Sequence, residues 1–206
     1  MRLGIMGGTF DPIHWGHLVT AEAARHQFLL DQVLFVPAGQ PPHKVGRRVS
    51  SAEDRYLMTF LAIADNPVFH ISRMEIDRQG QSYTYDTIAK LRETYDLTEL
   101  YFITGADAMR EVLTWHRAEE LLTMCHFVAA SRPGFTLEDY MQQEAIQRFR
   151  QKGNIHLIEV PAMAISSTDL RRRVLTGEPI RYLVPEAVEN YIYKNRLYVE
   201  DDAIFV

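Results

Sequence analysis

The sequence contains a single cysteine, Cys125, so no disulfide bond can form within its 206 residues. This composition is typical of proteins that work in a reducing compartment, and it favours a cytoplasmic location. No stretch approaches the roughly 18 consecutive apolar residues that a membrane-spanning helix requires. The first residues, MRLGIMGG, are too few and too rich in glycine to form the apolar region of a secretory signal. We therefore expect no membrane partner.

Positive charge is also in short supply, because the formal net charge is −5. A general nucleic-acid-binding surface is therefore not expected, and an anionic ligand would have to meet a local cluster of positive groups. The sequence also lacks internal repeats, low-complexity segments and linkers. Its length suits one sizeable hydrophobic core, so we predict one domain over residues 1–198, followed by a tail over 199–206. Whether copies of the chain assemble into a homo-oligomer is left open.

Three common catalytic signatures are missing as well. The chain has neither the G-x-G-x-x-G pattern of dinucleotide-dependent oxidoreductases nor the G-x-x-x-x-G-K-[ST] loop of nucleoside triphosphatases. His14 and His17 have the spacing H-x-x-H, but the H-E-x-x-H zinc signature is absent and the only cysteine is far away in the sequence. We therefore expect no protein ligand for a metal ion.

Short apolar stretches alternate along the chain with stretches of helical periodicity. Strands are predicted at residues 2–6, 32–37, 68–76, 99–105, 126–131 and 154–160. Helices are predicted at residues 15–29, 51–66, 84–95, 108–122, 137–151, 167–175 and 185–194. This alternation predicts an α/β fold: a Rossmann-like, doubly wound parallel sheet in a single domain, with a small helical C-terminal part. Such sheets bind ligands at the carboxyl ends of their strands, where the polar loop 39–50 is a candidate active-site loop.

The stretch GGTFDPIHWGH, residues 7–17, contains more glycine and polar residues than a strand-to-helix turn needs. Gly7 and Gly8 would end a strand with no Cβ to block a ligand, and the helix that follows would offer free N–H groups to an anion. His14 and His17 would share one face of that helix. Two imidazoles and bare backbone amides on one anion suit the transfer of a phosphate group. A structural alternative stays open, since a lone histidine here would more often be only a hydrogen-bond partner.

A second polar stretch, ISSTDLR at residues 165–171, precedes a basic helix. Its serines and threonine are typical of the N-terminal cap of a helix. The hydroxyl groups, the free amides and Arg171 would then meet one polyphosphate. The alternative is a capped helix with a solvated basic face, and we favour that interpretation for Arg172 and Arg173.

Both stretches resemble signatures of the nucleotidyltransferase superfamily. Residues 7–17 match G-[TS]-F-D-x-x-H-x-G-H, and residues 165–171 match I-S-S-T-x-x-R. Other segments resemble the bacterial nicotinate-mononucleotide adenylyltransferase family, over a range from residue 3 to about residue 198. These segments are PPHK at 41–44, SYTYDT at 82–87, TGADAMREVLTW at 104–115 and SRPG at 131–134.

The resemblance implies an enzyme that transfers the adenylyl group of ATP to nicotinate mononucleotide, giving nicotinate adenine dinucleotide and pyrophosphate in NAD biosynthesis. It implies that the catalytic residues are His14, His17 and Arg171. The residues implied to bind ATP are Gly7, Gly8, Thr9, Phe10, His14, His17, Gly105, Asp107, Arg132, Ile165, Ser167, Thr168 and Arg171. Those implied to bind the mononucleotide are Gly8, Thr9, Lys44, Thr84, Tyr85 and Trp115. Mg²⁺ is expected to arrive mainly on the ATP phosphates, held by substrate oxygens and waters.

Several of these roles come from the resemblance alone. It places Asp107 at the ribose of ATP, Arg132 beside the adenine and Trp115 against the nicotinate ring. By their residue types alone, Asp107 would equally suit a helix N-cap and Trp115 would more often belong to the core. The chain departs from some relatives at His116, where they have other aromatic residues.

Two alternative functions remain at this stage. A phosphopantetheine adenylyltransferase is usually shorter and has threonine at the position of His14. A regulator that senses ATP or NAD without turnover would keep the glycine-rich turn, but it would not need both His14 and His17. The joint presence of the two histidines favours the adenylyltransferase.

Overall fold

Six strands form one parallel sheet in the computed structural model of the protein. The structure describes residues 1–41, 49–96, 99–131, 144–161 and 164–199. The strands are β1 (Arg2–Gly8), β2 (Gln32–Pro37), β3 (Phe69–Ile71), β4 (Glu99–Gly105), β5 (His126–Ser131) and β6 (Ile155–Glu159). Their order in the sheet is β3-β2-β1-β4-β5-β6. The predicted α/β fold is confirmed, and the bounds predicted for β2, β4 and β5 are those observed.

Helices follow the strands in the alternation that the sequence predicts. They are α1 (Trp15–Gln27), α2 (Ala52–Ile63), α3 (Thr84–Thr94), α4 (Ala106–Arg110), α5 (Ala118–Met124), α6 (Glu144–Gln151), α7 (Ser167–Thr176) and α8 (Glu186–Lys194). The predicted start of α6, near residue 137, lies outside the described residues. In the described part of the chain, no helix is long and apolar enough to cross a membrane.

The winding of the sheet reverses between β1 and β4, which pair in parallel from Arg2 opposite Glu99 to Met6 opposite Ile103. Ligands of open α/β sheets bind beyond the carboxyl ends of the strands at such a reversal. Two of the glycines singled out in the sequence, Gly8 and Gly105, are the last residues of these two strands.

The chain divides into two compact units. The first comprises Met1–Gly7, Val19–Leu34 and Tyr83–Ala162. Its core is apolar and fully buried, with large side chains from strands and helices that include Ile5, Ile88, Ile103, Leu121 and Phe127. The second comprises Gly8–Leu18, Phe35–Ser82 and Met163–Val206. Its core includes Ile13, Phe35, Met58, Val188 and Ile192.

Two predicted elements differ from those observed. The strand predicted over 68–76 has only three residues, because the Ser72 hydroxyl accepts a hydrogen bond from the Met74 N–H and turns the chain. The helix predicted over 108–122 is interrupted by a 3-10 turn at Val112–Thr114, after which Arg117 has a left-handed backbone (φ 53°). The backbone N–H of Thr114 donates to the carbonyl of Glu111 and closes that turn, and the Thr114 hydroxyl donates to the same carbonyl. Local hydrogen bonds therefore replace the predicted strand and helix in both places.

Candidate active site

His14 and His17 lie together at the start of α1, in the second unit. Their rings stack with centroids 3.8 Å apart and planes 28° apart. The backbone N–H of His14 donates to Nδ1 of His17 at 3.2 Å. Because Nδ1 of His17 accepts this bond, the proton of the neutral ring sits on Nε2. His17 therefore keeps an N–H donor for a ligand.

The surroundings of His17 hold it in its neutral form. Desolvation by the protein, with a smaller effect from the charge of His14, lowers the pKa of His17 well below its usual value. Phe10 contributes to this environment, because its ring lies edge-on to His17 at 5.2 Å. Gly16 is required by the same packing, since a Cβ there would lie 2.9 Å from Nδ1 of His14. A bound polyphosphate would oppose the desolvation and favour a charged imidazole.

The two sequence signatures meet directly within the second unit. The Ser167 hydroxyl donates to the carbonyl of Pro12 at 2.9 Å, across 155 positions of the sequence. The Arg171 guanidinium donates through Nη1 to the carbonyl of Asp11 at 2.7 Å, across 160 positions. Residue 171 is 7% exposed. Arg171 thus lies against the turn that leads into the histidines, as two signatures serving one ligand require.

The start of α7 is built as the sequence predicts. The Ser166 side chain caps the helix by accepting from the N–H of Asp169 at 3.1 Å, so the N–H groups of Ser167 and Thr168 lie in the first turn. First-turn N–H groups have no partner inside their own helix and are suited to bind an anion. Thr168 also accepts from Nη2 of Arg171 at 3.4 Å.

The next two arginines of α7 have a different role. Arg172 and Arg173 are partly exposed and form ion pairs with Asp169 and Glu178. The predicted solvated basic face is therefore confirmed for both.

The carboxylate of Asp11 is buried and supports the turn from within. Its Oδ1 accepts from the Tyr198 hydroxyl at 2.7 Å, and its Oδ2 accepts from the N–H of Ser50 at 3.3 Å. Burial, and then the negative charge of Asp11, raise the pKa of Tyr198 well above its usual value. The sequence patterns did not indicate a role for Tyr198 or for Arg55, which is also buried. Neither residue belongs to a signature.

Four of the candidate residues in the first unit, Thr84, Tyr85, Gly105 and Asp107, lie at the starts of α3 and α4. Asp107 is exposed in the first turn of α4, and the N-cap of that helix is Gly105, so the interpretation of Asp107 as the cap is wrong. Thr84 and Tyr85 begin α3, after the N-cap Tyr83. All four residues are at least partly exposed, so a ligand can reach them.

Trp115 is neither fully core nor fully exposed. Its ring contacts Phe102 at 5.9 Å and Phe127 at 6.3 Å between centroids, and the residue stays partly accessible. The neighbouring Arg117 guanidinium lies 3.8 Å from the centroid of the Tyr85 ring. The Trp115 ring thus packs on β4 and β5, whereas Tyr85 at the start of α3 is covered by Arg117.

Two candidates cannot be placed. Lys44 and Arg132 lie outside the described residues. Of the other candidates, Gly7 and Gly8 end β1, and Ile165 is buried just before α7.

Comparisons with known proteins show which proteins this chain is similar to. The model of the cytidylyltransferase-like family matches residues 5–173. A protein of Thermoanaerobacter sp. named "probable nicotinate-nucleotide adenylyltransferase" is 58% identical over 98% of this chain and 96% of its own length. A Moorella thermoacetica protein of the same name is 59% identical over 96% of this chain and 91% of its own.

A solved structure gives the same fold at much lower identity. The Plasmodium falciparum nicotinic acid mononucleotide adenylyltransferase complexed with NaAD is 20% identical, with a TM-score of 0.78. The match covers 96% of this chain and 97% of that one.

Proposed function

The chain belongs to the cytidylyltransferase-like family and, within it, to the nicotinate-nucleotide adenylyltransferases, and from that premise we propose how it works. It transfers the adenylyl group of ATP to nicotinate mononucleotide and releases pyrophosphate and nicotinate adenine dinucleotide, a step of NAD biosynthesis. Relatives that carry this name are more than half identical over nearly the whole chain. The reaction takes place in the cytoplasm, where the lone buried cysteine, Cys125, stays reduced.

The observation that carries the proposal is the meeting of the two signatures. Arg171 and Ser167 bond to the carbonyls of Asp11 and Pro12, immediately before the stacked histidines. The Arg171 guanidinium donates to two neutral groups, the carbonyl of Asp11 and the hydroxyl of Thr168, and neither neutralises its charge. Its positive charge is therefore available to a polyphosphate that also contacts the histidines.

The reaction is an in-line displacement. A 5′-phosphate oxygen of the mononucleotide attacks the α-phosphorus of ATP, and the bond from that phosphorus to the β-phosphate oxygen breaks. The acceptor phosphate is already ionised near neutral pH, so no protein nucleophile is needed. Positioning and charge stabilisation supply the catalysis. His17 donates from Nε2 to a phosphate oxygen as negative charge moves towards the leaving pyrophosphate, and His14 binds beside it.

The β- and γ-phosphates lie at the start of α7. Arg171 supplies the charge, and the first-turn N–H groups of Ser167 and Thr168 supply hydrogen bonds. The Ser167 hydroxyl positions the site and is not a phosphate donor, because it donates its hydrogen bond to the carbonyl oxygen of Pro12. On the opposite side of the reaction, Lys44 binds the acceptor phosphate.

The remaining roles follow the family pattern. In the first unit, Asp107 accepts from the ribose hydroxyls of ATP, and the start of α3 with Trp115 receives the nicotinate ring. Arg132 lies beside the adenine. Thr9, Phe10 and the glycines that end β1 line the nucleotide through their backbone atoms.

Magnesium enters as the ATP complex. Among the described residues, no group of three histidine, cysteine, aspartate or glutamate side chains could hold a metal ion. The buried carboxylate of Asp11 already accepts hydrogen bonds from the Tyr198 hydroxyl and the Ser50 N–H. We therefore assign Mg²⁺ to the phosphate oxygens and waters of the substrate, which is how this hard cation often binds.

Incubation with ATP, Mg²⁺ and nicotinate mononucleotide tests the proposal. Pyrophosphate and nicotinate adenine dinucleotide should appear in equal amounts, measured by a coupled assay and by chromatography. Phosphopantetheine in place of the mononucleotide should give no product. Turnover of phosphopantetheine, or ATP binding with no turnover of either acceptor, would contradict the assignment.

A further inference from the structure

Arg55, in α2, is 1% exposed and donates to four backbone carbonyl oxygens. Nη1 donates to the carbonyls of Thr9 at 2.9 Å and Ala38 at 2.6 Å. Nη2 donates to Gly39 at 3.1 Å, and Nε donates to Ser50 at 3.0 Å. One side chain thus joins the first signature to both ends of the loop 39–50.

A guanidinium group is a costly way to fill this part of the core. Burial lowers the pKa of Arg55, an effect opposed chiefly by the charge of Asp11, and arginine stays protonated in proteins. Replacing a buried ion pair by well-packed apolar side chains is often neutral or stabilising. An apolar side chain cannot donate to four carbonyl groups, which requires several N–H donors in the fixed arrangement of a guanidinium.

The first end of the loop is held with little freedom. A Cβ at Gly39 would lie 2.2 Å from the carbonyl oxygen of Glu75, so no larger residue fits there. The N–H groups of Gly39 and Gln40 both donate to the Ser82 hydroxyl, at 3.0 and 3.2 Å. The carbonyl groups of Ala38 and Gly39 accept from Arg55, and the N–H groups of the residues after Ala38 donate to Ser82. Hydrogen bonds therefore hold the chain on both sides where it leaves β2.

The other end of the loop is tied to the signature itself. Ser50 gives its carbonyl to Arg55 and its N–H to Oδ2 of Asp11. Arg55 also holds the carbonyl of Thr9, and in a trans peptide the N–H of the next residue points the opposite way. The N–H of Phe10 is therefore turned away from the guanidinium.

We propose that Arg55 is a positioning residue for the acceptor phosphate. Arg55 bonds to both ends of the loop 39–50 and to the carbonyl of Thr9. It thereby sets where this loop leaves the core and how the Thr9–Phe10 peptide faces the substrate. This inference rests on the proposed function, in which Lys44 and Thr9 contact the mononucleotide. Arg55 itself touches no reacting atom.

The test compares Arg55→Lys with Arg55→Met and with a control substitution of another arginine that contacts α2. Lysine keeps the charge but cannot supply four bonds in a plane, whereas methionine keeps only the volume. Arg73→Lys is the matched control, because Arg73 is a partly exposed arginine that pairs with Glu53 and Asp77 and stacks on Tyr56. Steady-state constants for both substrates are measured well below each unfolding midpoint, and active-site titration corrects for inactive protein.

Arg55→Lys should raise the KM for the mononucleotide roughly tenfold or more and lower kcat, because a shift of about 1 Å in a positioned group can cost about a hundredfold. The KM for ATP should rise less than the KM for the mononucleotide, because Thr9 is assigned to both substrates whereas Lys44 of the loop is assigned to the mononucleotide alone. Arg73→Lys should resemble the wild type. If Arg55→Met does not fold, Arg55→Lys decides. A folded Arg55→Lys with lower stability but unchanged constants would overturn the inference. A wild-type protein that forms no pyrophosphate would instead overturn the proposed function, and this inference with it.

Discussion

The Tyr198 hydroxyl donates a 2.7 Å hydrogen bond to Oδ1 of Asp11, although the two residues are 187 positions apart. Both are almost fully buried, and Tyr198 has a left-handed backbone (φ 63°). The end of the described chain therefore supports the turn that precedes the histidines. Arg171 holds the carbonyl of the same aspartate, so the carboxylate and the backbone of Asp11 are each held by a distant residue.

Replacing Tyr198 by phenylalanine should lower the free energy of unfolding by about 1–3 kcal/mol, because one oxygen of the buried carboxylate loses its donor. Denaturant unfolding measures the change. Tyr182→Phe is the matched control, since Tyr182 also has positive φ (66°) but is 80% exposed. Equal losses in the two variants would show that the bond to Asp11 contributes nothing.

Replacing His17 by alanine should lower kcat by about 10² to 10³, the usual scale for removing one transition-state donor. The variant should still fold, because residue 17 is only partly buried in the first turn of α1. His26→Ala, on an exposed position of the same helix, serves as the control. Near-normal turnover of His17→Ala in a steady-state assay would exclude the proposed role.

The stability of the protein should fall at mildly acidic pH, partly through His17. The pKa of His17 is lower in the folded protein than the value near 6.5 expected for the unfolded chain. The unfolded state then binds more protons below about pH 6.5, so stability is full above that pH and is lost as the pH falls. Unfolding midpoints between pH 8 and pH 5.5 should drop less steeply for His17→Ala than for the wild type. Identical slopes would contradict this contribution.

Replacing Lys44 by alanine should raise the KM for the mononucleotide far more than the KM for ATP, because Lys44 is assigned to the acceptor phosphate. Its position lies outside the described residues, so kinetics provide the direct test. Lys90→Ala is a suitable control, since Lys90 is exposed and pairs only weakly with Glu93. A rise confined to the KM for ATP would show that the loop 39–50 binds ATP and not the mononucleotide.

Nicotinate mononucleotide should be preferred over nicotinamide mononucleotide by at least about tenfold in kcat/KM, or about 1.4 kcal/mol. The N–H groups at the start of α3 favour a carboxylate, and donors left unpaired by an amide discriminate strongly. Arg117 already pairs with Glu120, so it is not free to read the carboxylate.

Alanine at Arg110 or at Arg117 should therefore leave this ratio nearly unchanged. Equal rates on the two acceptors would reject the backbone donors. Loss of preference in either variant would show that an arginine side chain recognises the carboxylate.

Much of the fold could be predicted because its signals are local. Three strands have the predicted bounds, since each is a short apolar run ended by proline, glycine or polar residues. The helix break at Val112–Thr114 could not be predicted, because helical periodicity does not register a hydroxyl group that bonds to a nearby backbone carbonyl.

The sequence by itself determined the alternation of strands and helices, the two signatures and the chemistry they offer, because each of these depends on residues close together in the chain. Only the tertiary structure decided that Arg55 would hold Thr9 across 46 positions and that Tyr198 would reach Asp11. It also decided that the Ser167 hydroxyl would donate a hydrogen bond to the carbonyl oxygen of Pro12. A buried polar group takes whichever partner the packed chain brings within about 3 Å, and no local pattern encodes a partner that folding alone brings near.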